Sequence, residues 1–239
     1  YFEALGEWTR NKKAICIAGT HGKTTTTGLV SLLLMQAGLD PTVVIGSTMA
    51  ELGHKNMRFG KSPYMVVEAC EYRRSFLQLH PFIGVVTNME LDHTDYYRDL
   101  EDYVDAFRDF VKKIPKNGAL IVNGEDELCR TVAKEAQCPV FFFEASSADF
   151  SKFHLKVLGR HNLMNALAAL AVGRFLRLKE SEIVKALESF NGVWRRFEYK
   201  GELNGAPVYD DYGHHPTEVL ATLQGAREEY PNQRLVLVF

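Results

Sequence analysis

The sequence predicts an α/β fold, a mainly parallel sheet flanked by helices, followed by the start of a second, Rossmann-like α/β domain. Three observations carry this. Short apolar runs alternate with helical stretches along most of the 239 residues, as parallel sheets covered on both faces require. The first run, Ala14 to Ala18, feeds a glycine-flanked turn that opens into a helix. Near the end, Ala206 to Asp211 reads as a strand, Gly213 and Pro216 as a turn, Thr217 to Glu229 as a helix and Arg234 to Phe239 as a further buried strand.

Taken in order, Phe2, Leu5 and Trp8 stand at helical spacing, so residues 1–12 read as a linker helix from a domain outside the chain. Asn11-Lys12-Lys13 breaks it before the first strand. The helical pattern of Gly28 to Ala37 is closed by Gly38 and Pro41. Strands follow at Thr42 to Ile45, Tyr64 to Val67, Ile83 to Val86, Ala119 to Val122 and Val140 to Phe143, with helices at Leu100 to Ile114 and Glu127 to Ala136. Ser146 to Ser151 reads as a polar turn and Phe153 to Leu158 as a strand. Helices then run from Asn162 to Leu178 and, with Ser181 as N-cap, to Phe190. Asn204-Gly205 closes a hairpin. The central domain is therefore expected over 13–205 and the start of another over 206–239. The missing initiating methionine and the apolar final run suggest a chain cut at both ends.

Composition narrows the function. Hydrophobic residues are 46% and charged ones 24%, and the net charge of −2 gives no electrostatic case for nucleic acid. No apolar run approaches the roughly 18 residues of a membrane span, and a signal-peptide pattern is lacking, so the default is a cytoplasmic enzyme. Cys16, Cys70, Cys129 and Cys138 are scattered without C-x-x-C pairing, which indicates neither a zinc site nor a disulfide framework.

The turn Gly19-Thr20-His21-Gly22-Lys23-Thr24-Thr25 is built for polyphosphate. Amides at a helix start lack intrahelical partners and carry partial positive charge. Glycines allow close approach, Lys23 is a mobile cation and the Thr24 hydroxyl suits magnesium. Ile17 stands where the standard P-loop has its first glycine, so this is a shortened variant. Four further clusters follow strand ends or open a helix. Glu68 suits magnesium or merely caps its strand. His93, beside Asp92, suits a second metal or a phosphate. His161, Asn162 and Asn165 suit adenine edges, although Asn162 equally reads as a helix N-cap. Arg196 suits a transferring phosphoryl group, and Asp211, His214 and His215 stand at the domain junction.

Together Gly19 to Thr26, Thr87-Asn88 through Asp92-His93, Gly159 to Asn165, Arg195-Arg196-Phe197 and Asp210 through Pro216 resemble, in order, the signatures of the Mur ligases, most closely the alanine-adding branch. The resemblance implies ATP-driven amide formation, joining L-alanine to UDP-N-acetylmuramate through an acyl phosphate in the building of peptidoglycan precursors. It places Gly19, Thr20, His21, Gly22, Lys23, Thr24 and Thr25 at ATP phosphates, Thr24 and Glu68 on Mg2+, and His93 on a second Mg2+. His161, Asn162 and Asn165 would lie at adenine, Arg196 at phosphate, Asp211 near ribose and His215 on the muramoyl or amino-acid side. Lys23, His93, Arg196 and His215 would carry the chemistry.

Where the family shows Glu-Ala-Asp-Glu-Ser-Asp, this chain has Glu68-Ala69-Cys70-Glu71-Tyr72-Arg73; two acids are missing and Arg73 replaces one. Phe107 stands where the ligases adding later residues carry a carbamylated lysine. Glu71-Tyr72 leans toward the branch that attaches recycled murein peptide, Gly213 and Glu218 toward the alanine-adding one. The lost acids also motivate a nucleotide-binding module without catalysis. By itself this chain is expected to lack ligase activity, since the family's uridine-nucleotide domain lies outside it.

Overall fold

The structure, a computed structural model, describes residues 1–147 and 154–239. Helix α1 (Phe2–Arg10) leads to β1 (Lys13–Ala18) and α2 (Lys23–Gln36). Then come β2 (Thr42–Met49), β3 (Lys55–Arg58), β4 (Tyr64–Glu68), β5 (Pro81–Val86), α3 (Leu100–Lys112), β6 (Ala119–Asn123), α4 (Glu127–Ala133) and β7 (Val140–Phe143). Helices α5 (Arg160–Phe175) and α6 (Glu180–Ser189) precede the hairpin β8 (Glu198–Leu203) and β9 (Ala206–Asp210) and the final helix α7 (Pro216–Glu229).

Seven strands form one sheet in the order β3-β2-β4-β1-β5-β6-β7, parallel throughout except for β3 against β2. The central strand β1 is buried from Ala14 to Ala18, which follows from cover on both faces. One face packs Ile15 and Ile17 against Leu29 and Leu33 of α2 and the apolar side of α5 and α6. The other packs Ala14 and Cys16 with α1, α3 and α4, including the ring cluster Phe76, Tyr103, Phe107 and Phe110. Phe107, where a lysine stands in other branches, is wholly buried there. All four cysteines are free. No helix among the described residues is long and apolar enough to cross a membrane.

Several expected boundaries move. Helix α2 begins at Lys23, so the threonines form its first turn; Thr27 Oγ1 donates back to Lys23 O at 2.8 Å, which gives this buried hydroxyl a partner. The cap of helix α6 lies two residues early, at Lys179 rather than Ser181. Strand β3 was not foreseen, its Lys-Asn-Met-Arg side chains being largely exposed at a sheet edge. Of the strand expected at Phe153 to Leu158, Phe153 lies outside the described residues and His154 to Leu158 is irregular; the turn expected at Ser146 to Ser151 also lies partly outside them. Residues Arg234 to Phe239 form no strand, because none of the described strands runs beside them, and Val238 and Phe239 are 91% exposed.

Strands β8 and β9 pair only with each other, antiparallel, so the 205/206 boundary falls within their turn. This C-terminal part meets the body through few contacts. The Trp194 amide donates to Thr48 O at 2.9 Å. Helix α7 approaches α5 at a pair of glycines, where a Cβ placed on Gly225 would lie 3.3 Å from Gly159 Cα.

Candidate active site

The phosphate loop joins β1 to α2, and its shape is imposed by the segment after β5. Thr20 N donates to Asn88 O at 3.0 Å, His21 N to Asn88 Oδ1 at 2.8 Å, and Thr87 Oγ1 to His21 O at 2.6 Å. Thr20 Oγ1 donates to Glu90 O at 2.9 Å and lies 2.8 Å from the Tyr103 hydroxyl. Only glycine fits at Gly19: its φ is +132°, and a Cβ would stand 2.0 Å from Thr87 Oγ1. Gly22 is the left-handed N-cap of α2 and supplies no capping side chain, so the first amides of that helix keep their capacity for an anion.

Lys23 donates to Gly19 O at 2.6 Å, Thr20 O at 2.8 Å and Glu71 Oε1 at 3.0 Å, which uses all three of its protons. Glu68, at the end of β4, accepts from Thr24 Oγ1 at 3.0 Å and, through its other oxygen, from the Gly46 amide at 2.7 Å. A carboxylate and a hydroxyl thus converge beside the helix start, a pairing suited to a hard cation.

Glu71 is the residue that sequence reasoning underweighted. It is fully buried, yet it meets Lys23 and, at 3.4 Å, His93 Nε2; Oε2 has no hydrogen-bond partner among the described residues. Left-handed backbone at Arg73 (φ 53°) and Arg74 (φ 55°) breaks the 3-10 stretch just after it. Arg74 is then anchored to Asp102 at 2.7 Å, whereas Arg73 stays exposed with its guanidinium 5.4 Å from the centre of the Tyr72 ring. The acidic neighbours of His93 are therefore Glu71 and Asp92, and the Glu71 hydrogen bond raises the imidazole pKa above its ordinary value.

On the other side of the loop lies a cavity of about 460 Å³. His21, Gly22, Thr24, Thr25, His161, Asn162, Asn165, Arg196 and Asp211 all line it, residues drawn from both the body and the C-terminal part. Gly19, Thr20, Lys23, Glu68 and His93 stand around the loop outside this lining. Asn162 is not the cap of α5, which is Gly159; its Nδ2 donates to Leu158 O at 2.8 Å while Oδ1 accepts from Asn165 at 3.2 Å. Asn165 in turn accepts from Thr26 Oγ1 at 3.2 Å, tying α5 to α2. Burial lowers the pKa of His161, which favours the neutral ring. Asp211 accepts from the amides of Phe197 at 2.8 Å and Gly213 at 2.7 Å.

A strap of polar contacts closes the cavity from α7. His21 Nδ1 faces Glu218 at 3.3 Å and Nε2 faces Glu90 at 3.1 Å, while the His215 ring lies 4.8 Å away, tilted by 46°. Thr217 Oγ1 donates to Glu90 at 3.0 Å, and Arg196 lies 3.5 Å from Glu218. Burial disfavours the His21 cation, but Glu218 and Glu90 outweigh it and leave the pKa raised. Burial likewise opposes ionisation of Glu218, and His21 and Arg196 still carry its pKa down to about 2.

The sequence pattern of the Mur ligase middle domain matches residues 17–152, and that of the Mur ligase glutamate ligase domain matches 195–239. A UDP-N-acetylmuramate–L-alanine ligase of Clostridium botulinum is 40% identical over 95% of this chain and 55% of its own length. One of Clostridium kluyveri is 40% identical over 99% and 57%. The chain thus spans a little over half the length of the curated relatives it matches. Among solved structures, a UDP-N-acetylmuramate–alanine ligase of Thermotoga maritima superposes with a TM-score of 0.82 at 29% identity, covering 97% of this chain and 57% of that one. A murein peptide ligase of Psychrobacter arcticus gives 0.77 at 26% identity, covering 98% and 58%.

Proposed function

The chain belongs to the Mur ligase family, and we propose that it is the ATP-binding middle domain, with part of the C-terminal domain, of a ligase joining L-alanine to UDP-N-acetylmuramate. Residues 1–12 then serve as the connecting helix. Because β8 and β9 form one hairpin, the division of domains belongs before Arg195 rather than at 205/206.

The observation that carries this reading is the start of α2, whose Gly22 cap puts no side chain on the first amides and which is flanked by Lys23 and the Thr24–Glu68 pair. Glycine at positions 19 and 22 is demanded by the packing of the loop, and the amides so displayed suit polyphosphate. Thr24 and Glu68 would hold Mg2+, with His93 and its acidic neighbours able to serve a second ion; bound magnesium neutralises charge on the phosphates. His161, Asn162 and Asn165 line the cavity where adenine would lie, and Asp211 the ribose side. Lys23 engages a phosphate by exchanging one of its three present bonds, and Arg196, which lines the cavity, adds positive charge toward the transferring group. Transfer of the γ-phosphoryl group to the muramoyl carboxylate makes an acyl phosphate and releases ADP; the alanine amine then attacks the acyl carbon, forming the amide and releasing phosphate. His215 is assigned to the muramoyl or amino-acid side.

The test has two arms. ATP with Mg2+ is titrated against this chain, and phosphate release by the full-length protein is measured with UDP-N-acetylmuramate and a panel of amino acids and the tripeptide. Nucleotide binding and alanine-dependent release are expected, the latter falling about 10²–10³-fold in Lys23→Ala. Release with tripeptide alone moves the protein to murein peptide recycling, and binding without release under any acceptor makes it a non-catalytic module.

A further inference from the structure

We propose that His21, Glu90 and His215 form a binding site for a borderline transition-metal ion such as Zn2+, one that ties α7 to the phosphate loop. The reading goes beyond the ligase assignment, whose magnesium is placed at Thr24, Glu68 and His93.

The donor set is the first reason. Two imidazoles and one carboxylate suit zinc, whereas magnesium takes hard oxygen ligands. The spacing is the second. One ligand atom from each of the three residues lies within 4.8 Å of the others. Glu90 Oε2 is 3.1 Å from His21 Nε2 and 3.9 Å from His215 Nδ1. Ligands held at about 2.0–2.1 Å by a tetrahedral ion stand about 3.4 Å apart, so the observed set needs only a small closure.

Support around these ligands is the third reason. Thr217 Oγ1 occupies Glu90 Oε1, which leaves Oε2 to face both rings. Glu218 Oε1 lies against His21 Nδ1 at 3.3 Å and is itself beside Arg196 at 3.5 Å. A carboxylate accepting from the far nitrogen fixes the tautomer that presents Nε2 and makes it a better donor, the arrangement that supports metal-bound histidines generally. At His215 the ion would replace the weak capping contact from the Thr217 amide, 3.3 Å away. Binding releases the His21 Nε2 proton and so strengthens as the pH rises. Because His21 and Glu90 line the cavity, the remaining coordination position is open to water or a phosphate oxygen.

The experiment uses the untagged chain freed of metal by a chelator. Zn2+ is titrated in competition with a chromophoric chelator, and Co2+ reports geometry through its visible absorption. One equivalent of Zn2+ is expected, weakened about a hundredfold in His215→Ala and about tenfold in Glu218→Gln, with four- or five-coordinate Co2+ bands. Glu68→Gln is expected to bind as the unaltered chain does, and circular dichroism confirms that each variant is folded. Unchanged affinity in His215→Ala overturns the proposal, as does loss in His93→Ala instead, which would move the ion to Glu71, Asp92 and His93. No stoichiometric Zn2+ binding also overturns it, and leaves the ATP arm of the ligase test untouched.

Discussion

The body around Lys23 and the C-terminal part around α7 contribute to one cavity but are held in opposite ways. Around Lys23 the groups are cross-braced: the buried Glu71 and Thr87 hold the loop at the end of β1, which is buried from Ala14 to Ala18. In α7 the only buried residue is Gly225, and Leu220 is 57% exposed. Its attachment is polar, through His21, Glu90, Glu218 and Thr217. One wall of the cavity is therefore assembled in advance, while the other is attached by contacts that protonation or a ligand can exchange. Ligases that must admit, enclose and release reactants have a use for that division.

Three measurements break or sharpen the contrast. The largest effect is expected from Glu71→Ala, which leaves Lys23 and His93 without their shared buried partner. Urea unfolding should show a loss of about 3–5 kcal/mol, with Glu71→Gln losing less because it retains an acceptor. A loss below about 1 kcal/mol would mean that the braced wall is no firmer than the strap.

A smaller effect is expected from pH. The raised pKa of His21 means that its contribution is fully present below the unfolded value of about 6.5 and fades as the pH climbs through the folded value. Glu218, depressed to about 2, contributes above its unfolded value of about 4.3 and loses that contribution as the pH falls toward 2. The melting-temperature difference between the unaltered chain and His21→Asn should thus peak between about pH 5 and 6 and shrink above neutrality. A flat difference would remove the ionic character of the strap. The smallest effect belongs to Leu220→Ala, expected within about 0.5 kcal/mol because α7 buries so little there.

Much of the body was legible in the sequence because its signals are local. The apolar run Ala14 to Ala18, the two glycines and the lysine announce strand, turn and helix without reference to the rest of the chain. What stayed hidden depends on distant or unlikely geometry. Glu71 matters only because left-handed backbone at Arg73 and Arg74 follows it and His93 reaches it from beyond β5, and neither fact has a signature in the residues themselves. Strand β3 is polar and owes its existence to the edge of β2. The apolar residues Leu235 to Phe239 have strand composition, yet a strand is defined by a neighbour's hydrogen bonds, which composition does not supply. The alternative reading of Asn162 as a cap failed for a similar reason: helix α5 starts two residues earlier, at Arg160, with Gly159 as its cap, and frees that side-chain amide for the bridge to Asn165.

The meeting of Gly159 with Gly225 bears on how the enclosure opens. Where helices interlock by large side chains, separating them means dragging knobs out of sockets; here α7 meets the start of α5 backbone to backbone, with no side chain of either glycine to withdraw. A methyl group on Gly225 would press on Gly159 Cα at 3.3 Å, whereas one on Gly159, in left-handed backbone, would strike the His161 ring at 2.8 Å, so the two glycines are held for different reasons.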